Sequence, residues 1–285
     1  MPQSNPRFAA QAAPASGTGD PLHLLCLGQS QLACLRRALT EADTAQALAA
    51  AQVQITVIVM NDPHFDPHFT AGHDAPDGMP HFSPALQAEI DLASAKADAV
   101  YTSIGGTAHC VLGMLEHERP FDFTLEHDPA VPLLPGREPV PGAMVREALA
   151  ATSLFRHQRA LRRFLPTALQ RPVVHLESSP PLPQDQVVNN LGGYRRLLTP
   201  RGVAPASVRR KLWRLHSQMV AEDCAAAGIE FLPVPDSVQD ETGQLLPQAL
   251  SPGDPTHAND WYGRRMIEQI VSRHRPGFSI AEQQP

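Results

Sequence analysis

Two short segments near opposite ends of the chain hold residue types that could do chemistry together. Gly28-Gln29-Ser30 places a serine where an apolar run gives way to helical spacing. Asp254-Pro255-Thr256-His257 places a carboxylate three residues before a histidine, ahead of the last amphipathic segment. Serine, histidine and aspartate are the groups that acyl transfer needs. The imidazole takes the hydroxyl proton, and the carboxylate fixes the ring tautomer and stabilises its charged form. Each segment also has a plainer reading. Serine is a favoured helix N-cap, and Asp254 with Thr256 could satisfy the backbone donors of a turn. The two together, in this order, favour Ser30 as nucleophile, His257 as base and Asp254 as its orienting acid. Asn259 then serves as N-cap of the last helix.

The elements that must position these groups alternate along the chain. Leu22 to Leu27 is a continuous apolar run, the pattern of a strand covered on both faces. Leu32, Leu35, Leu39 and Ala42 recur at helical spacing, which predicts a helix from about Gln31 to Ala50. Val53 to Met60 reads as a second strand, and 84–97 as a helix. Ala99 to Ile104 is a third strand running into Gly105-Gly106, and Val173 to Leu176 a fourth. Val208, Leu212, Leu215 and Met219 mark an amphipathic helix ending near Gly228. Ile229 to Leu232 is a fifth strand, and a final helix spans about Asn259 to Arg273. Short apolar strands alternating with helices predict an α/β fold with a parallel sheet of about five strands covered on both faces. In such sheets functional residues gather beyond the carboxyl ends of the strands, where Ser30, Gly105-Gly106 and the Asp254–His257 segment all fall.

These residues resemble the SGNH (GDSL-like) hydrolase superfamily. Gly28-Gln29-Ser30 matches its Gly-Asp-Ser motif in position, with Gln29 in place of the aspartate. Asp254-Pro255-Thr256-His257 matches its late Asp-x-x-His motif in full. Ser103-Ile104-Gly105-Gly106-Thr107 resembles the motif after the third strand, with Thr107 where the family carries an oxyanion-hole asparagine. Asn61 stands where the family's other oxyanion glycine would be. The resemblance implies a flavodoxin-like three-layer α/β/α fold and a Ser30–His257–Asp254 triad. Oxyanion and substrate contacts would come from Thr107, Gly106 and Asn61, with His109 a candidate to line the pocket. The implied activity is hydrolysis of a small-molecule or carbohydrate O-acyl ester through an acyl-enzyme. An acyltransferase with the same triad is one alternative, and a binding or scaffold protein with a weakened site is another.

The 285 residues divide into a leader (1–20), a single domain (21–275) and a tail (276–285), with a Pro-rich and helical insertion expected at 118–170. A net charge of −6 offers no basic field for nucleic acid, and the paired arginines, Arg162-Arg163 among them, read as solvated helix faces. No apolar run reaches the roughly 20 residues that span a bilayer, and residues 1–20 lack a secretory signal's apolar core. Four cysteines without CxxC spacing suit buried thiols in a reducing, cytoplasmic setting. Cys34 and Cys110 read as core packing rather than nucleophiles. His64-x-Asp66-x-His68 with His73 has metal-ligand residue types but no defining spacing, and reads as a loop bordering the cleft. The chemistry calls for no cofactor and no metal.

Overall fold

The computed structural model describes residues 20–66, 69–70, 81–126, 128 and 131–281. Its centre is a five-stranded sheet of β1 (Leu22–Gly28), β2 (Val53–Val59), β3 (Ala99–Ser103), β4 (Val173–Leu176) and β5 (Glu230–Leu232). The spatial order is β2-β1-β3-β4-β5 with every pairing parallel. Gly28 is in register with Val59 on one side and Ser103 on the other. The chain reverses its direction of winding at β1, so the crevice beyond β1 and β3 is the expected place for a site.

Alternation along β1 explains its unbroken apolar run. Leu25 and Leu27 face a core shared with α3 (Pro84–Ser94), α6 (Ser153–Leu169) and α7 (Ala206–Ala226). Leu24 and Cys26 face an opposite core built with α1 (Ala33–Ala38) and α8 (Asp260–Ser272). Burial on both faces is what a strand inside a three-layer α/β/α sandwich requires, and neither face has a polar position to spare. Helix ends follow local chemistry. Ser83 accepts Leu86 N–H at 3.3 Å with Pro84 behind it, and Asn259 accepts Tyr262 N–H.

Three expectations are corrected. The helix predicted over 31–50 is a 3₁₀ turn (Ser30–Leu32), then α1, then α2 (Ala42–Ala50). Thr40 Oγ1 donates to Arg37 carbonyl at 2.7 Å and Glu41 turns extended, so a side chain captures a carbonyl that a continuous helix would use. The helix over 84–97 stops at Ser94. Arg162 is not on a solvated face: it is 1% exposed, donating to Ile104 carbonyl and paired with Asp223.

Residues 118–170 contain α5 (Gly142–Ala151) and α6. Phe155, Leu161, Leu165 and Leu169 of α6 enter the core beside β1 and β3. Among the described residues Cys26, Cys34 and Cys224 are buried, Cys110 is partly so, and all four are free. No helix among them is long and apolar enough to cross a membrane.

Candidate active site

Ser30 opens the 3₁₀ turn directly beyond β1, and the approach to it is set by backbone contact. A Cβ on Gly28 would lie 2.4 Å from Ser103 carbonyl, so glycine lets β1 and β3 exit side by side. Gln29 N–H donates to that same carbonyl at 3.0 Å. Its side-chain oxygen accepts Gly105 N–H at 3.0 Å. Gly105, at φ +92°, has a backbone that side-chain-bearing residues rarely adopt, with Gln158 and Arg162 filling the space a Cβ would need. Gln29 thus ties the serine turn to the β3 loop, a role not evident in the sequence.

Asp254 and His257 lie on β7 (Asp254–Ala258), which pairs with β6 (Leu250–Ser251) across a Pro252-Gly253 turn. Asp254 Oδ1 accepts Thr256 N–H (2.8 Å), Thr256 Oγ1–H (2.8 Å) and His257 N–H (3.1 Å). Its other oxygen, Oδ2, lies 2.8 Å from His257 Nδ1. Burial alone would raise the Asp254 pKa. The bonds from His257 and from Thr256 outweigh it and hold the carboxyl well below the usual range. An ionised carboxylate can only accept, so Nδ1 carries the ring proton and the lone pair of Nε2 faces outward. Ser30 Oγ stands 2.8 Å from that nitrogen. A continuous relay from Ser30 through His257 to Asp254 therefore joins residues separated by more than two hundred positions.

Gly106 abuts Gln31: a Cβ there would lie 2.6 Å from Gln31 Cγ. Thr107 is half-buried in the turn ahead of α4 (Cys110–Gly113), and its carbonyl accepts Cys110 N–H at 2.9 Å. Asn61 is exposed just beyond β2, where Met60 N–H meets Gly28 carbonyl at 2.7 Å. His109 is buried and lines a small cavity of about 20 Å³ together with His257, Cys110, Ser179, Leu182 and Arg209. Burial, with the nearby Arg209 cation, pushes its pKa down to about 4, so it is a neutral ring. Burial raises the Cys110 thiol to about 12, which leaves it protonated and a poor nucleophile. His64 pairs instead with Asp62 at 2.9 Å and approaches Glu89 at 3.9 Å, and Asp66 is exposed. His68 and His73 lie outside the described residues. The sequence reading missed Gln29 as a tie and Arg209 as a lining group, since both roles depend on distant loops.

No family model matches the chain, and no curated protein matches it. Solved structures similar to it include a GDSL-like lipase from Bacteroides thetaiotaomicron, 12% identical over 88% of each chain with a TM-score of 0.39. Another is the periplasmic domain of a lipopolysaccharide acetyltransferase from Salmonella ser. Paratyphi A. It is 12% identical over 89% of this chain and 85% of that one, with a TM-score of 0.45.

Proposed function

We propose that the chain is a serine-dependent hydrolase acting on an O-acyl ester. The observation that carries this reading is the pair of 2.8 Å contacts, Ser30 Oγ to His257 Nε2 and His257 Nδ1 to Asp254 Oδ2. In the acylation step His257 Nε2 takes the hydroxyl proton as Ser30 Oγ bonds to the ester carbonyl carbon. The tetrahedral oxyanion forms beside the start of the 3₁₀ turn, where the Ser30 N–H, an N–H near Gly106 or Asn61, and the Thr107 hydroxyl serve as donors. Each donor of this kind contributes roughly 10²–10³ in rate. The His257 imidazolium, steadied by Asp254, returns its proton to the departing alkoxide, and the acyl group stays on Ser30. Water then repeats the sequence with His257 as base and releases the acid; an alcohol in its place would give transfer.

The test is intact-mass spectrometry after exposure to a fluorophosphonate probe, with Ser30→Ala and His257→Ala alongside. A single adduct on wild type that is absent from both variants is the expected outcome. An unlabelled, folded wild-type protein would overturn the reading, as would Ser30→Ala that retains full activity on an active ester.

A further inference from the structure

Three lysine or arginine side chains are buried among the described residues, and they differ in one respect. Lys211 is fully buried and meets both oxygens of Asp122 at 2.9 Å. Arg162 pairs with Asp223 at 3.4 Å. Arg209, 3% exposed, has only neutral partners: Nε donates to Ala204 carbonyl (3.1 Å), Nη1 to Leu182 carbonyl (2.8 Å) and Nη2 to Gln184 Oε1 (3.0 Å). A guanidinium has five N–H groups, so one remains on each terminal nitrogen. Burial draws its pKa down to about 10, still cationic at neutral pH.

A buried charge without a counter-charge is strongly disfavoured, and neutral donors could satisfy the same carbonyls at lower desolvation cost. Its position sharpens the point. Arg209 lies in the first turn of α7, a 21-residue helix with no acidic residue in that turn, where the helix dipole opposes a cation and favours an anion. Arg209 also lines the same cavity as His257.

We propose that Arg209 recognises a compact anionic group, carboxylate or phosphate, carried by the ester substrate and seated in the cavity beside His257. This rests on the serine-hydrolase reading of the site. With one N–H left over on each terminal nitrogen, the guanidinium has donors for the oxygens of either anion.

The test compares kcat/KM for acetoxyacetate, 2-acetoxyethyl phosphate and the neutral methyl acetoxyacetate. One anionic ester is expected to exceed the neutral one by roughly 10–100-fold, the range of a charge-assisted bond pair. Which of the two does so distinguishes carboxylate from phosphate. In Arg209→Gln that ratio is expected to collapse to about 1, with Arg209→Lys retaining part of it. A wild-type ratio near 1 overturns the proposal. So does a ratio unchanged in Arg209→Gln while all three rates fall together, which is the signature of a purely structural tie. Calorimetry on Ser30→Ala with methoxyacetate and with inorganic phosphate needs no turnover. Binding that vanishes in Ser30→Ala/Arg209→Gln supports the anion site, and no binding of either probe overturns it. Absence of a fluorophosphonate adduct on Ser30 would overturn the hydrolase reading while leaving the calorimetric result to decide Arg209.

Discussion

Acid should weaken this fold well above the range where carboxylates protonate, because three histidines are buried as neutral rings. His109, His175 and His216 are 6%, 2% and 2% exposed. Burial lowers the pKa of each, with the Arg209 cation adding to it at His109 and the Arg162 cation at His175 and His216. His216 packs 5.5 Å from the His109 ring and 5.8 Å from Phe155, and neither of its nitrogens finds a partner. His175 Nδ1 meets the Thr102 hydroxyl at 3.0 Å, and a hydrogen bond with the Ile104 backbone offsets only part of the effect of burial.

The folded pKa is depressed below the unfolded value, so the unfolded chain binds more protons once pH drops below about 6.5. Stability is therefore full above that pH and falls as pH descends toward the folded values. A histidine that stays neutral when folded loses about 1.4 kcal/mol between about pH 8 and about pH 5.5. Three of them together cost about 4 kcal/mol, a large share of the ~5–15 kcal/mol typical of domains. Glu177 runs the other way: burial raises its pKa, so its protonation at lower pH gives back part of the loss. Urea unfolding at a series of pH values reads the slope directly. His216→Phe should remove about one third of the pH dependence, since its ring surroundings are aromatic and no hydrogen bond is lost. A total loss smaller than about 1.4 kcal/mol over that interval would refute the reasoning, as would an unchanged slope in His216→Phe.

Other perturbations test the frame around the site. Gly28→Ala forces a Cβ to within 2.4 Å of Ser103 carbonyl, a backbone atom that cannot swing away; about 1–3 kcal/mol of stability should be lost in urea titrations, with weaker labelling of Ser30. Asp122→Ala strands the fully buried Lys211 and should cost about 3–5 kcal/mol, much of it recovered by Asp122→Ala/Lys211→Met if the penalty is the unpaired charge. Thr256→Val removes the hydroxyl bond to Asp254 while keeping the shape. The Asp254 pKa should rise, and the fluorophosphonate labelling rate should fall about tenfold, with its acid limb moved to higher pH.

What could be read from the chain was whatever its own neighbours determine. The β1 run Leu24 to Leu27 announces a strand covered on both faces because alternate residues enter two different cores. Asp254 and His257 are legible because one turn builds their contact, through Thr256 and two backbone N–H groups. The break after Leu39 was hidden, since it turns on the Thr40 hydroxyl outcompeting helical periodicity. Arg162 and Arg209 look like solvent-facing cations on amphipathic helices. Their burial depends on Asp223 in one case and on the loops at Leu182 and Ala204 in the other, and no local pattern encodes those encounters. The buried histidines were illegible for the same reason.

The glutamines on either side of Ser30 bear on how the turn can be rigid without an acid at position 29. Gln29 reaches the β3 loop through Gly105 N–H. Gln31 packs against Gly106, and its side chain extends toward Thr256 carbonyl at 3.5 Å and Ser179 Oγ at 3.4 Å. The serine turn is thereby fastened to both other segments that bear on the site, by neutral groups on each side. A carboxylate at 29 could accept the same Gly105 bond, but it would add a second negative charge close to where the proposed oxyanion develops, and like charges at that range oppose each other. An amide oxygen supplies the tie and leaves Asp254, among the described residues, as the one carboxylate in contact with the Ser30–His257 pair.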